Sequence, residues 1–156
     1  MSDFLQIAID LAINNVKEGG TPYGSVVVLN DKIIGRGVNT MHLSPDISGH
    51  AELVAIRQAQ KLLNRIDLSD CVVYASGHPC PMCLGSIALS GIKRVVYANS
   101  VEDASNAGMS LTKNIYKYLA GNKEAIVLDM IHTPINDESN NPMVLYKLFK
   151  EQKGED

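Results

Sequence analysis

The stretch His50-Ala51-Glu52, followed by Pro79-Cys80-Pro81-Met82-Cys83, decides the fold of this chain. Zinc prefers a tetrahedral shell of nitrogen and sulfur ligands, and a catalytic zinc site leaves one position open for water. His50, Cys80 and Cys83 would supply three ligands, and bound zinc lowers the pKa of such a water towards neutrality. Glu52 is not needed as a ligand, and at the start of a helix its carboxylate can face that water and move its proton.

Two other interpretations of the C-x-x-C stretch stay open. A redox pair is typical of a thioredoxin-like context, but here Pro81 lies between the cysteines and an H-x-E stretch precedes them. A structural zinc site would need a fourth protein ligand. The candidates for that ligand, none of them at a finger-like spacing, are Cys71, His42, His78 and His132.

Composition narrows the class of protein. The chain has 156 residues, of which 46% are hydrophobic and 20% are charged, which predicts a single globular domain over residues 1–156. A net charge of −3 gives no general support for nucleic-acid binding, although a local basic patch stays open. Three cysteines, two of them in the metal motif, favour a reducing compartment, and we expect a cytoplasmic protein. Residues 4–13 lack the features of a signal peptide, and no apolar run approaches a membrane span.

Hydrophobic periodicity and turn residues predict most of the elements. An apolar stripe predicts a first helix that ends at Gly19-Gly20, and a hairpin follows with strands over 25–29 and 32–38. A helix is expected to begin at His50, with Ser48 as its cap. A strand over 70–76, a helix over 81–90 and a strand over 93–98 predict a parallel pair with a right-handed crossover.

The C-terminal third is less regular. Residues 100–103 resemble a capping box that opens a short helix to Ala107, and a further helix is predicted over 115–119. The apolar run 125–130 is a candidate fifth strand, 132–142 a loop, and 143–152 a helix that either docks on the core or contacts RNA. The predicted architecture is α/β, a mixed five-stranded sheet with helices on both faces and the zinc site between the two motif helices.

These motifs together resemble the cytidine deaminase-like superfamily, from the first helix to about Leu119. Within it the chain is most similar to the bacterial guanine deaminases and next to the tRNA adenosine deaminases. Ala107-Gly108 followed by Ile115-Tyr116-Lys117 favours the guanine deaminases. The other stretches that carry the resemblance are Pro22-Tyr23-Gly24, Asn39, His50-Ala51-Glu52, Ala55-Ile56-Arg57, Asp70-Cys71 and residues 79–85.

The resemblance implies a three-layer α/β/α fold and one Zn²⁺ per chain, held by His50, Cys80 and Cys83 with Glu52 as proton shuttle. It further implies a set of substrate-binding residues. They are Asn39, which would hydrogen-bond the base, Ala51, whose backbone N–H would hold its carbonyl, Tyr23 and Pro79. On position alone, Asn39 is equally well explained as a turn former at the end of a strand.

The activity implied is zinc-dependent hydrolytic deamination of an amino-heterocycle, guanine or a close relative, with release of ammonia. A homodimer, with C-terminal exchange as in guanine deaminases, is the expected assembly. One alternative is a tRNA-specific adenosine-to-inosine deaminase, which needs a basic surface beside the pocket and salt-sensitive tRNA binding. The other is a non-catalytic zinc-stabilised module, which the presence of Glu52 disfavours.

Three departures from the guanine deaminase pattern bear on the choice of base. Guanine deaminases carry an acidic residue between the Ala-Gly and Ile-Tyr pairs, and here residues 109–114 contain no Asp or Glu. They can also close the pocket with a C-terminal aromatic residue, and here the sequence is Lys153-Gly154-Glu155-Asp156. The usual Glu-Pro-Cys is His78-Pro79-Cys80. The metal ligands are untouched by these differences.

Overall fold

The structure, a computed structural model, describes residues 3–154, which divide into two compact units between Ile126 and Val127. The first unit contains five helices and four strands among the described residues. In chain order they are α1 (Asp3–Lys17), β1 (Gly24–Leu29), β2 (Lys32–Val38), α2 (Ala51–Leu63), β3 (Val72–Gly77), α3 (Pro81–Leu89), β4 (Arg94–Asn99), α4 (Val101–Asn106) and α5 (Leu111–Leu119).

The sheet has the strand order β2-β1-β3-β4. β1 pairs antiparallel with β2 and β3, whereas β3 and β4 are parallel. The predicted hairpin is confirmed, and its turn residues Asn30 and Asp31 have positive φ angles of 48° and 59°, as a tight turn that matches the strand twist requires. The predicted parallel unit around α3 is also confirmed.

Helices cover both faces of this sheet, as predicted. A Cβ placed on Gly24 of β1 would collide with the backbone of Ala8 in α1. A Cβ placed on Gly37 of β2 would collide with the carbonyl oxygen of Ala51 in α2. Gly37 pairs with Ser25, the neighbour of Gly24. Because successive side chains point to opposite faces, α1 and α2 lie on opposite sides of the sheet.

The main hydrophobic core lies on one face of the sheet, between its strands and helices α2 and α3. Its packing places the first turns of the two motif helices side by side above the sheet, which is where the candidate site forms. The buried residues of this core are Val27, Ala55, Ile56, Ala59, Leu68, Cys71, Val73, Ala75, Ile87 and Ile92.

Three sequence predictions need correction. The sheet has four strands in the described part of the chain, and 125–130 forms none of them. The side chains of Val127 and Leu128 in this run are exposed, so an apolar run alone does not make a strand where no strand edge pairs with it. Ser48 does not cap α2, because its hydroxyl bonds Asp46 and Arg57 and His50 is the N-cap. Finally, α5 begins at Leu111 instead of 115.

The second unit contains a 3₁₀ turn (Glu138–Asn140), within the predicted loop, and α6 (Pro142–Gln152). The Asn141 side chain caps α6 by accepting a hydrogen bond from Met143 N at 3.0 Å. Glu155 and Asp156 lie outside the described residues. Within residues 3–154, no helix is both long and apolar enough to cross a bilayer. Many apolar side chains of this unit are exposed, namely Val127, Leu128, Met130, Ile131, Ile135, Met143, Leu145, Tyr146, Leu148 and Phe149.

Candidate metal centre and catalytic pocket

The first turns of α2 and α3 bring His50, Cys80 and Cys83 together. His50 and Cys80 are the N-caps of the two helices, and Cys83 lies in the first turn of α3. His50 Nδ1 is 3.4 Å from Cys80 Sγ and 3.5 Å from Cys83 Sγ. Metal–nitrogen bonds of about 2.0 Å and metal–sulfur bonds of about 2.3 Å at a tetrahedral angle place nitrogen and sulfur about 3.5 Å apart. The two nitrogen–sulfur distances therefore fit a zinc ion, and all three ligand atoms lie within 4.8 Å of one another.

The electrostatics of the cluster favour a thiolate. A hydrogen bond from the Cys83 thiol, helped by His50, lowers the pKa of Cys80 to about 4. The same hydrogen bond raises the pKa of Cys83, because its proton is shared with the Cys80 sulfur. Hydrogen bonding to Cys80 also raises the pKa of His50. Since thiolates are the metal-binding form of cysteine, Cys80 is prepared for a metal and Cys83 releases its proton on binding one.

Glu52 lies two residues after His50 in the first turn of α2 and is only 4% exposed. Burial raises the pKa of its carboxyl group. Glu52 lines the same small cavity as His50 and Cys80. A buried carboxyl group beside a metal cluster, with a pKa above its ordinary value, has the properties of a proton carrier.

The pocket has two connected parts. The inner cavity, of about 40 Å³, contacts His50, Glu52 and Cys80, and a neighbouring groove of about 360 Å³ also reaches His50. The outer cavity, of about 170 Å³, shares Tyr23, His78 and Thr112 with the inner cavity. Because a benzene-sized ring needs about 150 Å³, a heterocycle that reaches the cluster extends beyond the inner cavity into the outer cavity or the neighbouring groove. The residues that line the inner cavity are Tyr23, Asn39, His50, Glu52, His78, Cys80 and Thr112.

Asn39 is buried at the inner cavity, and its amide orientation is fixed. Its Oδ1 accepts a hydrogen bond from Met41 N at 3.0 Å, so its Nδ2 group remains as the donor at the cavity wall. Its backbone carbonyl accepts from the Asn15 side chain at 3.0 Å, and Asn15 also donates to the Thr21 carbonyl at 2.8 Å. Sequence reasoning missed Asn15, because on α1 it is a polar residue with no local signal of a contact 24 positions away.

The other assigned substrate-binding residues differ in position. Tyr23 lines both cavities. Ala51 is fully buried at the first position of α2, and among the described residues its N–H has no acceptor. Pro79 lines neither cavity. Its carbonyl oxygen accepts hydrogen bonds from the Tyr116 hydroxyl and from His78 Nδ1, which lies 2.9 Å away.

The segment that lacks an acidic residue borders the pocket. Met109 and Thr112 line the outer cavity, and Thr112 reaches the inner one. Asp103 also lines the outer cavity. Its Oδ2 accepts from the backbone N and the hydroxyl of Ser100, at 2.7 Å and 2.8 Å, in the predicted capping box, which is confirmed. The Asp103 carboxylate therefore caps the N-terminus of α4.

A three-layer α/β/α fold with a His-Cys-Cys cluster and a buried glutamate at two helix N-termini defines a zinc-dependent hydrolytic deaminase. The family described as the cytidine and deoxycytidylate deaminase zinc-binding region matches residues 1–99. The chain belongs to this family.

Three known proteins show where the chain lies among its relatives. It is 45% identical to the guanine deaminase of Bacillus subtilis over 106 residues, which are 67% of this chain and 68% of the relative. The crystal structure of guanine deaminase from Bacillus subtilis superposes with a TM-score of 0.85 at 37% identity and covers 96% of both chains. A tRNA-specific adenosine deaminase of Buchnera aphidicola is 35% identical over 102 residues, 65% of this chain and 68% of the relative.

Proposed function

We propose that this enzyme hydrolytically deaminates a purine base, guanine or a close relative, and releases ammonia. The observation that carries the proposal is the buried Glu52 in a cavity that also contains Asn39 and the metal cluster. The similarity to the Bacillus subtilis guanine deaminase over nearly the whole of both chains supports the choice of base. The two cavities together offer a purine more room than the inner one alone.

In this proposal each residue of the cluster has a defined role. His50, Cys80 and Cys83 hold one Zn²⁺, which when bound activates a water molecule as the nucleophile. Glu52 takes the proton from that water and delivers it to a ring nitrogen of the base. The water oxygen bonds to the amino-bearing ring carbon at the same time. Glu52 then transfers the remaining proton of this oxygen to the amino group, the C–N bond breaks, and ammonia leaves a ring carbonyl behind.

Three groups of this chain bind the substrate in this proposal, and a fourth acts indirectly. Asn39 donates from Nδ2 to an acceptor of the base, and Ala51 offers its unpaired backbone N–H to a carbonyl. Tyr23 lies between the two cavities and forms part of the wall against the ring. Pro79 acts indirectly, because its carbonyl holds His78 and Tyr116.

The test is ammonia release by the zinc-loaded protein with guanine, guanosine, adenine, cytosine, cytidine, amino-pterins and a tRNA anticodon stem-loop. We expect turnover of guanine or of another free amino-purine. Turnover of the stem-loop alone would overturn the proposal in favour of a tRNA-specific adenosine deaminase. Silence across the panel with zinc bound would favour a non-catalytic zinc-stabilised module.

We also propose that the working unit is a homodimer of single deaminase domains spanning residues 1–156, located in the cytoplasm. The dimer is supported by the concentration of exposed apolar side chains between residues 127 and 149, since large exposed apolar patches mark interaction sites. The cytoplasmic location rests on the free thiols of Cys71, Cys80 and Cys83.

A further inference from the structure

The side chain of His78 lies at the junction of the two cavities, since it lines both. Its Nδ1 is 2.9 Å from the carbonyl oxygen of Pro79. A carbonyl oxygen can only accept, so Nδ1 carries the hydrogen. In a neutral imidazole the other ring nitrogen, Nε2, then carries the lone pair.

The ring is held in place from several sides. Tyr97 and Tyr116 contact it edge-on, with ring centroids 4.9 Å and 5.4 Å away. The Tyr116 hydroxyl donates to the same Pro79 carbonyl as the ring does. The backbone N–H of His78 donates to the Asn99 carbonyl at 2.8 Å. A side chain fixed in this way is preorganised, as residues that bind a ligand need to be.

Nε2 is the ring nitrogen left to accept a hydrogen bond, on a side chain that lines both cavities. No group within residues 3–154 donates a hydrogen bond to it. The oxygen of the Asn39 amide is already engaged by Met41, and Glu52 is committed to proton transfer. The hydroxyls of Tyr23 and Thr112 can donate as well as accept. A neutral His78 thus offers the inner cavity an acceptor that no group in the described part of the chain uses.

We propose that His78 is a specificity-determining residue that accepts a hydrogen bond from a ring N–H of the heterocycle through Nε2. Asn39 Nδ2 donates to the substrate and His78 accepts from it, so the pocket selects an amino-heterocycle that keeps both an acceptor and a ring N–H at its edge. An analogue whose ring N–H is methylated leaves His78 unpaired and is rejected. This inference rests on the proposed function.

The experiment compares kcat/KM for guanine with 1-methyl-, 7-methyl- and 9-methylguanine, using the zinc-loaded full chain. The wild type should prefer guanine over at least one methylguanine by about tenfold or more. His78→Leu should lose about tenfold or more with guanine and show no preference over that methylguanine. His78→Gln, whose amide oxygen can accept, should keep part of the preference. The matched control is His42→Leu, an exposed histidine that lines neither cavity, and it should behave as the wild type.

Two results would overturn the role of His78 and leave the proposed function standing. One is a His78→Leu variant that keeps its preference for guanine, even if its activity falls equally with every substrate, since that pattern marks a purely structural role. The other comes from ¹⁵N NMR of the imidazole in the zinc-loaded protein, where a hydrogen on Nε2 of the neutral ring would remove the acceptor. Failure of the wild type to deaminate guanine or any other free amino-purine would instead count against the proposed function, and the NMR measurement would still decide the tautomer.

Discussion

Glu52 lies next to the metal cluster, and its side chain is only 4% exposed. Burying a carboxylate costs free energy, so its presence here indicates a function. Glu52→Gln keeps the shape of the side chain but removes the proton relay. We therefore expect kcat to fall by at least about 10²-fold, with the zinc content unchanged. Ammonia release and bound zinc should be measured on the same samples, with the exposed Glu18→Gln as control. Activity near that of the wild type would show that Glu52 is not the proton carrier.

Cys83 is the fully buried member of the ligand cluster. Cys83→Ala leaves only His50 and Cys80, so both zinc content and activity should be lost. The chain offers a matched control in Cys71→Ala, because Cys71 is also buried, at 3% exposure, but packs in the hydrophobic core away from the cluster. The control should keep its zinc. Full zinc occupancy in Cys83→Ala, measured by elemental analysis, would mean that the ligand set is wrong.

A contact in the site can be predicted from the sequence when it follows from a local pattern, and not when it joins residues of separate elements. The spacings of His50, Cys80 and Cys83 follow from helix starts and metal geometry, and the structure brings the three together. The contacts of Asn15 and of the His78 ring could not be predicted. Asn15 reaches Asn39 from another element, and the His78 ring is placed by tyrosines of β4 and α5. No local pattern carries such contacts.

At the scale of elements, the close approach of α2 to β2 sets the position of the site. Gly37→Ala would force a methyl group against the carbonyl oxygen of Ala51, between His50 and Glu52. We expect a loss of about 1–3 kcal/mol in the free energy of unfolding, because backbone has to move, and reduced activity. Gly85→Ala is the control, because its Cβ meets nothing within 4 Å, and alanine within a helix should stabilise by about 0.5–1 kcal/mol. Equal denaturation midpoints for the two variants would contradict the argument.

An exposed ion pair connects the loop after α2 to the start of β3. Arg65 Nη2 lies 2.9 Å from both carboxylate oxygens of Asp70, and this contact lowers the pKa of that carboxyl. A carboxyl whose pKa is lower in the folded state stabilises the fold above its unfolded pKa of about 3.9, and the stabilisation is lost as the pH falls through the folded value.

Asp70→Asn should therefore lower the unfolding midpoint at pH 7, and the difference from the wild type should shrink below about pH 4. Denaturant titrations at several pH values measure it, with the exposed Asp129→Asn as control. A difference that stays constant down to pH 3 would show that the effect of the substitution does not come from the charge.

Most elements followed from the sequence because their signals are local. The hairpin has its turn at Asn30-Asp31, and the parallel unit has a helix between two apolar runs. The prediction of a fifth strand was wrong for a physical reason. A strand forms only where it can pair with the edge of another strand, and the apolar residues 125–130 pair with no strand of the sheet. The predicted cap of α2 was wrong for a different reason, because the Ser48 hydroxyl bonds Asp46 and Arg57 instead of the helix end.

At the scale of the whole molecule, the exposed apolar side chains of α6 indicate a protein–protein interface. Phe149 is 59% exposed and Tyr146 is 63% exposed, in a unit with many other exposed apolar groups. A charge at such a position changes the stability of a monomer by less than about 0.5 kcal/mol. In a homodimer that buries the same helix, however, it places an unpaired charge in the interface and is strongly unfavourable.

Phe149→Asp should therefore shift the protein from dimer to monomer while leaving its secondary structure intact. Light scattering after size-exclusion chromatography, over a tenfold range of protein concentration, measures the mass directly. Gln152→Glu, which also adds a negative charge to α6 but at an exposed polar position, should remain dimeric. A wild-type monomer at every concentration would disprove the dimer, and a Phe149→Asp dimer would show that the interface lies elsewhere. If the dimer also completes the pocket, the monomeric variant will lose deaminase activity while it keeps its zinc, because the ligands all come from α2, α3 and the residues that cap them.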